Sequence, residues 1–213
     1  MLGTGRSGST SILTMLNAIP GVYVAGENYD AVGKFRELNS SLPKAYGLRR
    51  PGINAWYHHH IDTELLRCDM QGYVKHLIGR IDANAEIIGF KEIRDNTKEQ
   101  MDFFTELFPC GKFIINWRKN VTQQQQSQFH RASSTTLLSD INAIKERWVA
   151  DHPTQTFALP LEDVSIAMFN RLLSWLDIHH CRFVNVAHAN AHGYSLDRHS
   201  RTLVKGQCAF GSS

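Results

Sequence analysis

The stretch GTGRSGST over residues 3–10 joins a short apolar start, Met1 and Leu2, to a helical run over 11–19. Its glycines permit a tight turn whose backbone N–H groups converge on an anion, and the following helix N-terminus adds partial positive charge. That is the anatomy of a phosphate cradle. Gly3 and Gly8 meet the spacing of GxxxxGK[ST], but Ser9 stands where the lysine belongs and the cation, Arg6, lies inside the loop. The loop is expected to hold phosphate, but not in the manner of an ATPase.

At 213 residues the chain suits one domain, 1–213, with a continuous core. An apolar fraction of 42% and a charged fraction of 20% are globular, and no block is of low complexity. A net charge of +3 is too small to point to nucleic acid, so an anion site must come from local clustering. No run approaches the ~20 apolar residues of a membrane span. The cysteines, Cys68, Cys110, Cys181 and Cys208, form no CxxC pair and suggest neither metal nor redox chemistry. Before the turn only residues 1–3 remain for a first strand, fewer than the usual ~5. Either the strand is brief or the chain was cut from a longer one whose missing residues carried a targeting signal.

Along the chain, Ser9 or Thr10 is expected to cap a helix with Ile12, Leu13, Leu16 and Ile19 on one face, stopped by Pro20-Gly21. Residues 22–25 read as a strand ending in Gly26-Glu27-Asn28. Residues 29–61 resist assignment, with a Pro/Gly/Ser-rich centre at 40–52. Asp62 or Thr63 opens a long amphipathic helix through Ile81. A strand over 87–93 carries Lys91, Glu92 and Arg94 near its end, and Asp95-Asn96 is expected to cap a helix through Phe108. A strand over 113–117 leads into Arg118-Lys119-Asn120 and a glutamine-rich helix to about His130. Helix 137–149, strand 157–161 and an apolar helix from Ile166 follow, and the last thirty residues are mixed.

Strands alternating with helices imply an α/β fold: a mostly parallel central sheet flanked by helices in three layers. In such sheets ligands gather beyond the carboxyl ends of the strands. The residues there are Arg6, Glu27, Lys91, Glu92, Arg94, Arg118 and Lys119, which predicts a polyanionic ligand.

Together these residues resemble the sulfotransferases that use 3′-phosphoadenosine 5′-phosphosulfate. GRSGST is similar to the family's 5′-phosphosulfate loop in the arginine form of carbohydrate and tyrosylprotein enzymes. IINWRKNVTQQQQS resembles its 3′-phosphate motif, and LPLED before an apolar helix resembles its late strand–helix unit. The resemblance spans about residues 3–178. It implies a P-loop-like fold and sulfuryl transfer from the nucleotide donor to a hydroxyl of a carbohydrate or small metabolite, with no metal. The compartment stays open: a soluble domain, cytoplasmic, or in the Golgi lumen if an amino-terminal segment is missing.

In that resemblance Arg6 is catalytic by charge, because a guanidinium does not give up its proton. The backbone of Ser7, Gly8 and Ser9 and the hydroxyls of Ser9 and Thr10 bind the 5′-phosphosulfate. Glu27 accepts the acceptor's proton, and Lys91 helps hold the sulfuryl group. In the competing structural reading, Glu92 and Arg94 pair with one another or with Lys91 in an ion network. Arg118 grips the 3′-phosphate. The family serine lies eight positions after this arginine, where this chain has Gln126, and Ser127 is ninth. One residue is about 100° around a helix, so Gln126 and Ser127 are both candidates for that phosphate. Lys205 faintly resembles a closing basic contact.

His58-His59-His60 reads as a surface run or part of an acceptor wall rather than a metal site, since consecutive residues do not easily face one ion. Two other functions stay open: a P-loop small-molecule kinase, which needs ATP and Mg²⁺, and a non-catalytic nucleotide-binding relative.

Overall fold

The computed structural model describes residues 1–47, 62–79, 84–94, 97–127, 134–187 and 207–210. Over these the chain is α/β. The first helix, α1 (Ser9–Leu16), leads to strand β1 (Val22–Glu27), which reaches two residues beyond the sequence expectation. Then come α2 (Lys34–Gly47), α3 (Thr63–Ile78), β2 (Ile87–Lys91), α4 (Lys98–Leu107) and β3 (Phe113–Ile115). After β3 the order is α5 (Val121–Gln126), α6 (Thr135–Asp151), β4 (Thr156–Ala158), a 3-10 turn (Leu161–Asp163), α7 (Ile166–Trp175), β5 (Cys181–Asn185) and β6 (Gln207–Phe210).

The strands pair as β1 with β2 and β3 with β4, both parallel, and β5 with β6 antiparallel. Residues 1–3 join the two parallel pairs. Leu2 bridges Glu92 on one side and Ile115 on the other, both in parallel sense. Gly3 N–H donates to Glu92 O at 2.8 Å, and Asn116 N–H donates to Leu2 O at 2.8 Å. The brief first segment therefore lies between the ends of β2 and β3, and the loop that follows it opens between them.

Alternation along β3 divides the core. Ile114 packs with Ile12, Met15 and Leu16 of α1 and Phe169, Leu172 and Leu173 of α7. Phe113 and Ile115 pack instead with Met70 and Val74 of α3, Phe104 and Leu107 of α4 and Trp148 of α6. Helices thus cover both faces of β3.

Several expected boundaries move. Gly8, not Ser9 or Thr10, is the N-cap of α1, with φ 77° and no side-chain cap. That positive φ favours glycine, and a Cβ there would also meet the Leu161 side chain. Asp62 does cap α3, accepting from Glu64 and Leu65 N–H. Thr97 caps α4, and the expected Asp95-Asn96 cap falls outside the described residues.

The unassigned stretch after Glu27 contains α2. Serines in mid-helix compete for backbone bonds, but Ser40 and Ser41 donate back to Glu37 O and Leu38 O at 2.9 and 3.0 Å, and the helix continues through them. Cys181 and Cys208 form a disulfide between β5 and β6, a use of cysteine that their spacing did not suggest.

Candidate active site

Loop 3–8 enters from the bridged segment and ends at the N-terminus of α1. Arg6 takes a left-handed backbone, φ 64°. The Ser7 hydroxyl lies on Thr4 O at 2.6 Å and on Asn116 Oδ1, and Ser7 N–H donates to Thr4 O at 3.3 Å. Ser7 is fully buried. Its hydroxyl and N–H therefore fold the loop, and anion binding falls to other groups. Ser9 is buried and Thr10 exposed at the start of α1. With no side-chain cap from Gly8, the first-turn N–H groups of α1 face the loop mouth.

Two neutral side chains lock this loop to the next elements. Asn116 Nδ2 donates to Ser7 O and to Leu159 O, each at 3.0 Å. Gln124 Nε2 donates to Thr4 Oγ1 at 3.1 Å and to Gly5 O at 2.7 Å. Beneath them Lys145 is fully buried and donates its Nζ to Asn116 O at 3.0 Å. Burial alone holds that ammonium's pKa well below the ordinary lysine range.

On the β3 side, Arg118 follows directly. Asn142 Nδ2 donates to Arg118 O at 2.8 Å. Glu162 accepts from Lys119 N–H and Asn120 N–H, each at 2.9 Å. Burial pushes the Glu162 carboxyl upward, but these two N–H bonds and the nearby Arg118 charge outweigh it and hold its pKa below the usual range. One guanidinium nitrogen of Arg118 donates to Gln123 Oε1 at 2.8 Å, while its Nε is buried with no hydrogen-bond partner among the described residues. Gln126 is exposed on α5. Ser127 is the C-cap, its hydroxyl donating to Gln124 O at 2.8 Å. Of the two candidates after Arg118, Gln126 is the one turned outward. Lys205 and His58-His59-His60 lie outside the described residues.

On the β2 side, parallel pairing places Glu27 opposite Lys91, just after an irregularity at Gly26. Lys91 Nζ stands 2.9 Å from Glu27 Oε1 with its side chain only 6% exposed, and Arg94 stands 3.4 Å from Glu27 Oε2. Glu92 pairs with neither Lys91 nor Arg94 by side-chain charge. It is buried and accepts N–H bonds from Ile93, Arg94 and Asp30 at 2.7, 2.8 and 3.3 Å.

The strand-end cations are thus partly matched within the protein. Lys91 and Arg94 face Glu27, and Lys119 meets Asp163 at 2.7 Å on the far side of the turn. Among the described residues Arg118 makes no carboxylate ion pair. A bare count of cations overstates the pull on an anion.

Asn116, Gln124, Asn142 and Lys145 escaped the sequence reading. A polar residue closing the apolar run Phe113–Ile115 was the available signal for Asn116. Gln124 sits among four identical residues, so only its helical position separates it from its neighbours. No known family model matches the chain, and a search of curated proteins returns no match.

Proposed function

We propose that this chain is a sulfotransferase transferring a sulfuryl group from 3′-phosphoadenosine 5′-phosphosulfate to a hydroxyl, on a three-layer P-loop-like fold. The observation that carries it is the ordering around residues 1–3. A loop bearing Arg6 opens at a helix N-terminus, with the Glu27–Lys91 pair on one side and Arg118 on the other. The bridging of Leu2 between two parallel pairs supports a single sheet with its switch point at this loop, where ligands bind in α/β folds.

The residues present fit such a donor. Arg6 and the uncapped first turn of α1 would hold the 5′-phosphosulfate, and Arg118, with Nε unpartnered among the described residues, would hold the 3′-phosphate. Gly8 and Ser9 supply backbone N–H groups and Thr10 an exposed hydroxyl at that turn. The donor supplies an activated sulfuryl group. Glu27 takes the acceptor's proton on a carboxylate oxygen, whose lone pairs exceed the two cations it faces. Lys91, fixed by that carboxylate and nearly buried, offers positive charge where the leaving oxygen gains negative charge.

The acceptor is a carbohydrate or small hydroxylated metabolite. Among the described residues no helix is long and apolar enough to cross a membrane. The Cys181–Cys208 disulfide supports an oxidising compartment such as the Golgi lumen over the cytoplasm.

Thermal unfolding with 3′-phosphoadenosine 5′-phosphate against ADP plus Mg²⁺ tests the reading. A ligand at a hundred times its dissociation constant adds about 2.7 kcal/mol. Stabilisation by the bisphosphate alone is expected. Preference for ADP plus Mg²⁺ overturns the donor assignment in favour of a kinase. Bisphosphate binding without transfer to any acceptor of a broad panel indicates a non-catalytic relative.

A further inference from the structure

Immediately after Glu27, Tyr29 and Asp30 both take left-handed backbone conformations, φ 57° and 65°. For residues with a Cβ this region costs about 1–2 kcal/mol each. The turn is nonetheless firmly held. Asp30 N–H donates to the buried Glu92 carboxylate at 3.3 Å, Ala31 N–H donates to Asn28 O at 3.1 Å, and Val32 is buried in the core beside α3. What this strain delivers is an outward tyrosine: Tyr29 is 81% exposed. Its ring is fixed from one side, with the Arg94 guanidinium carbon 4.3 Å from the centroid. Arg94 in turn stands 3.4 Å from Glu27 Oε2. The ring is therefore oriented by the same arginine that faces Glu27.

A strained backbone is a sign of function when the surrounding structure enforces it. Tyr29 adds no core, and its open face is a flat apolar surface near a proton-accepting carboxylate. Such a surface pairs with another flat apolar face. An open-chain alcohol has none.

We infer that Tyr29 is the acceptor platform: a hydroxylated six-membered ring, a pyranoside or a phenol, lies on its open face with a hydroxyl directed to Glu27. The role of Glu27 rests on the sulfotransferase reading, whereas the stacking does not.

Ligand-detected NMR titrations of the full chain with methyl β-glucopyranoside, phenol and 1,3-propanediol test this. Tyr29→Ala is expected to weaken the better ring probe about three- to tenfold, Tyr29→Phe to stay within about twofold of the natural protein because stacking survives, and the diol to be indifferent to both. Tighter binding of the glucoside marks a sugar acceptor, and tighter binding of phenol marks a phenolic one. The platform is overturned if Tyr29→Ala binds rings as tightly as the natural protein, if Tyr29→Phe loses as much as Tyr29→Ala, or if neither ring probe binds. Failure of the donor reading shows separately, as absence of stabilisation by the bisphosphate.

Discussion

The two flanks of the Leu2 segment build the candidate site by different physics. Toward β3, loop 3–8 is fixed by buried, uncharged groups: Thr4, Ser7, Asn116 and Gln124. Toward β2, the fixing is ionic, and Glu27 between Lys91 and Arg94 remains 27% exposed. Buried neutral hydrogen bonds depend on geometry and stay indifferent to salt, whereas a half-open ion cluster is screened. One flank supplies shape and the other supplies charge.

A kinetic measurement breaks the charged flank first. Glu27→Gln is expected to lower transfer about 10²–10⁴-fold, the range for losing a general base, with donor affinity nearly intact by titration. Equal turnover would remove Glu27 from the chemistry.

The neutral flank breaks in stability. Asn116→Leu removes the donor from two carbonyls, Ser7 O and Leu159 O. Each unpaired buried group costs about 1–3 kcal/mol, so a loss of about 3 kcal/mol in urea unfolding is expected. A loss under about 1 kcal/mol would show that the lock is replaceable.

Arg118→Ala sharpens the comparison, because Arg118 is a charge placed by the neutral flank. Affinity for the 3′,5′-bisphosphate should fall about 10- to 100-fold, with a 5′-monophosphate nearly unaffected in isothermal titration. Equal losses for both ligands would give this arginine another task.

The smallest effect concerns Lys145. Its folded pKa is lowered by burial, so the unfolded chain binds more protons than the folded one up to about pH 10.4. The burial penalty is full below the folded pKa and is relieved as pH rises through that window, so stability increases with pH. Lys145→Met should flatten this rise and add about 1 kcal/mol at pH 7. Urea midpoints at pH 7 and pH 9 measure both, and parallel curves for the two proteins would place the titration elsewhere.

Much of the frame was legible because it obeys local rules. The turn before α1, the Asp62 cap and the apolar faces of α3, α4 and α7 follow from residue type and period. The α2 helix was hidden because serines and a proline in its sequence carry turn signals. At the site, Glu27 and Lys91 were legible as strand ends, but their pairing was not. Their registry depends on how β1 and β2 align across an intervening crossover. Lys119 read as one more cation facing a ligand, until its Asp163 partner turned it away.

The sequence alone determined which chemistries stand at the strand ends, since a glycine where φ is positive or a cap before a helix is decided by nearest neighbours. Only the tertiary structure decided partners. Asn116 meets Ser7 across 109 residues and Gln124 meets Thr4 across 120. Distances of that kind are set by the order in which strands lie side by side, for which a linear spacing has no counterpart.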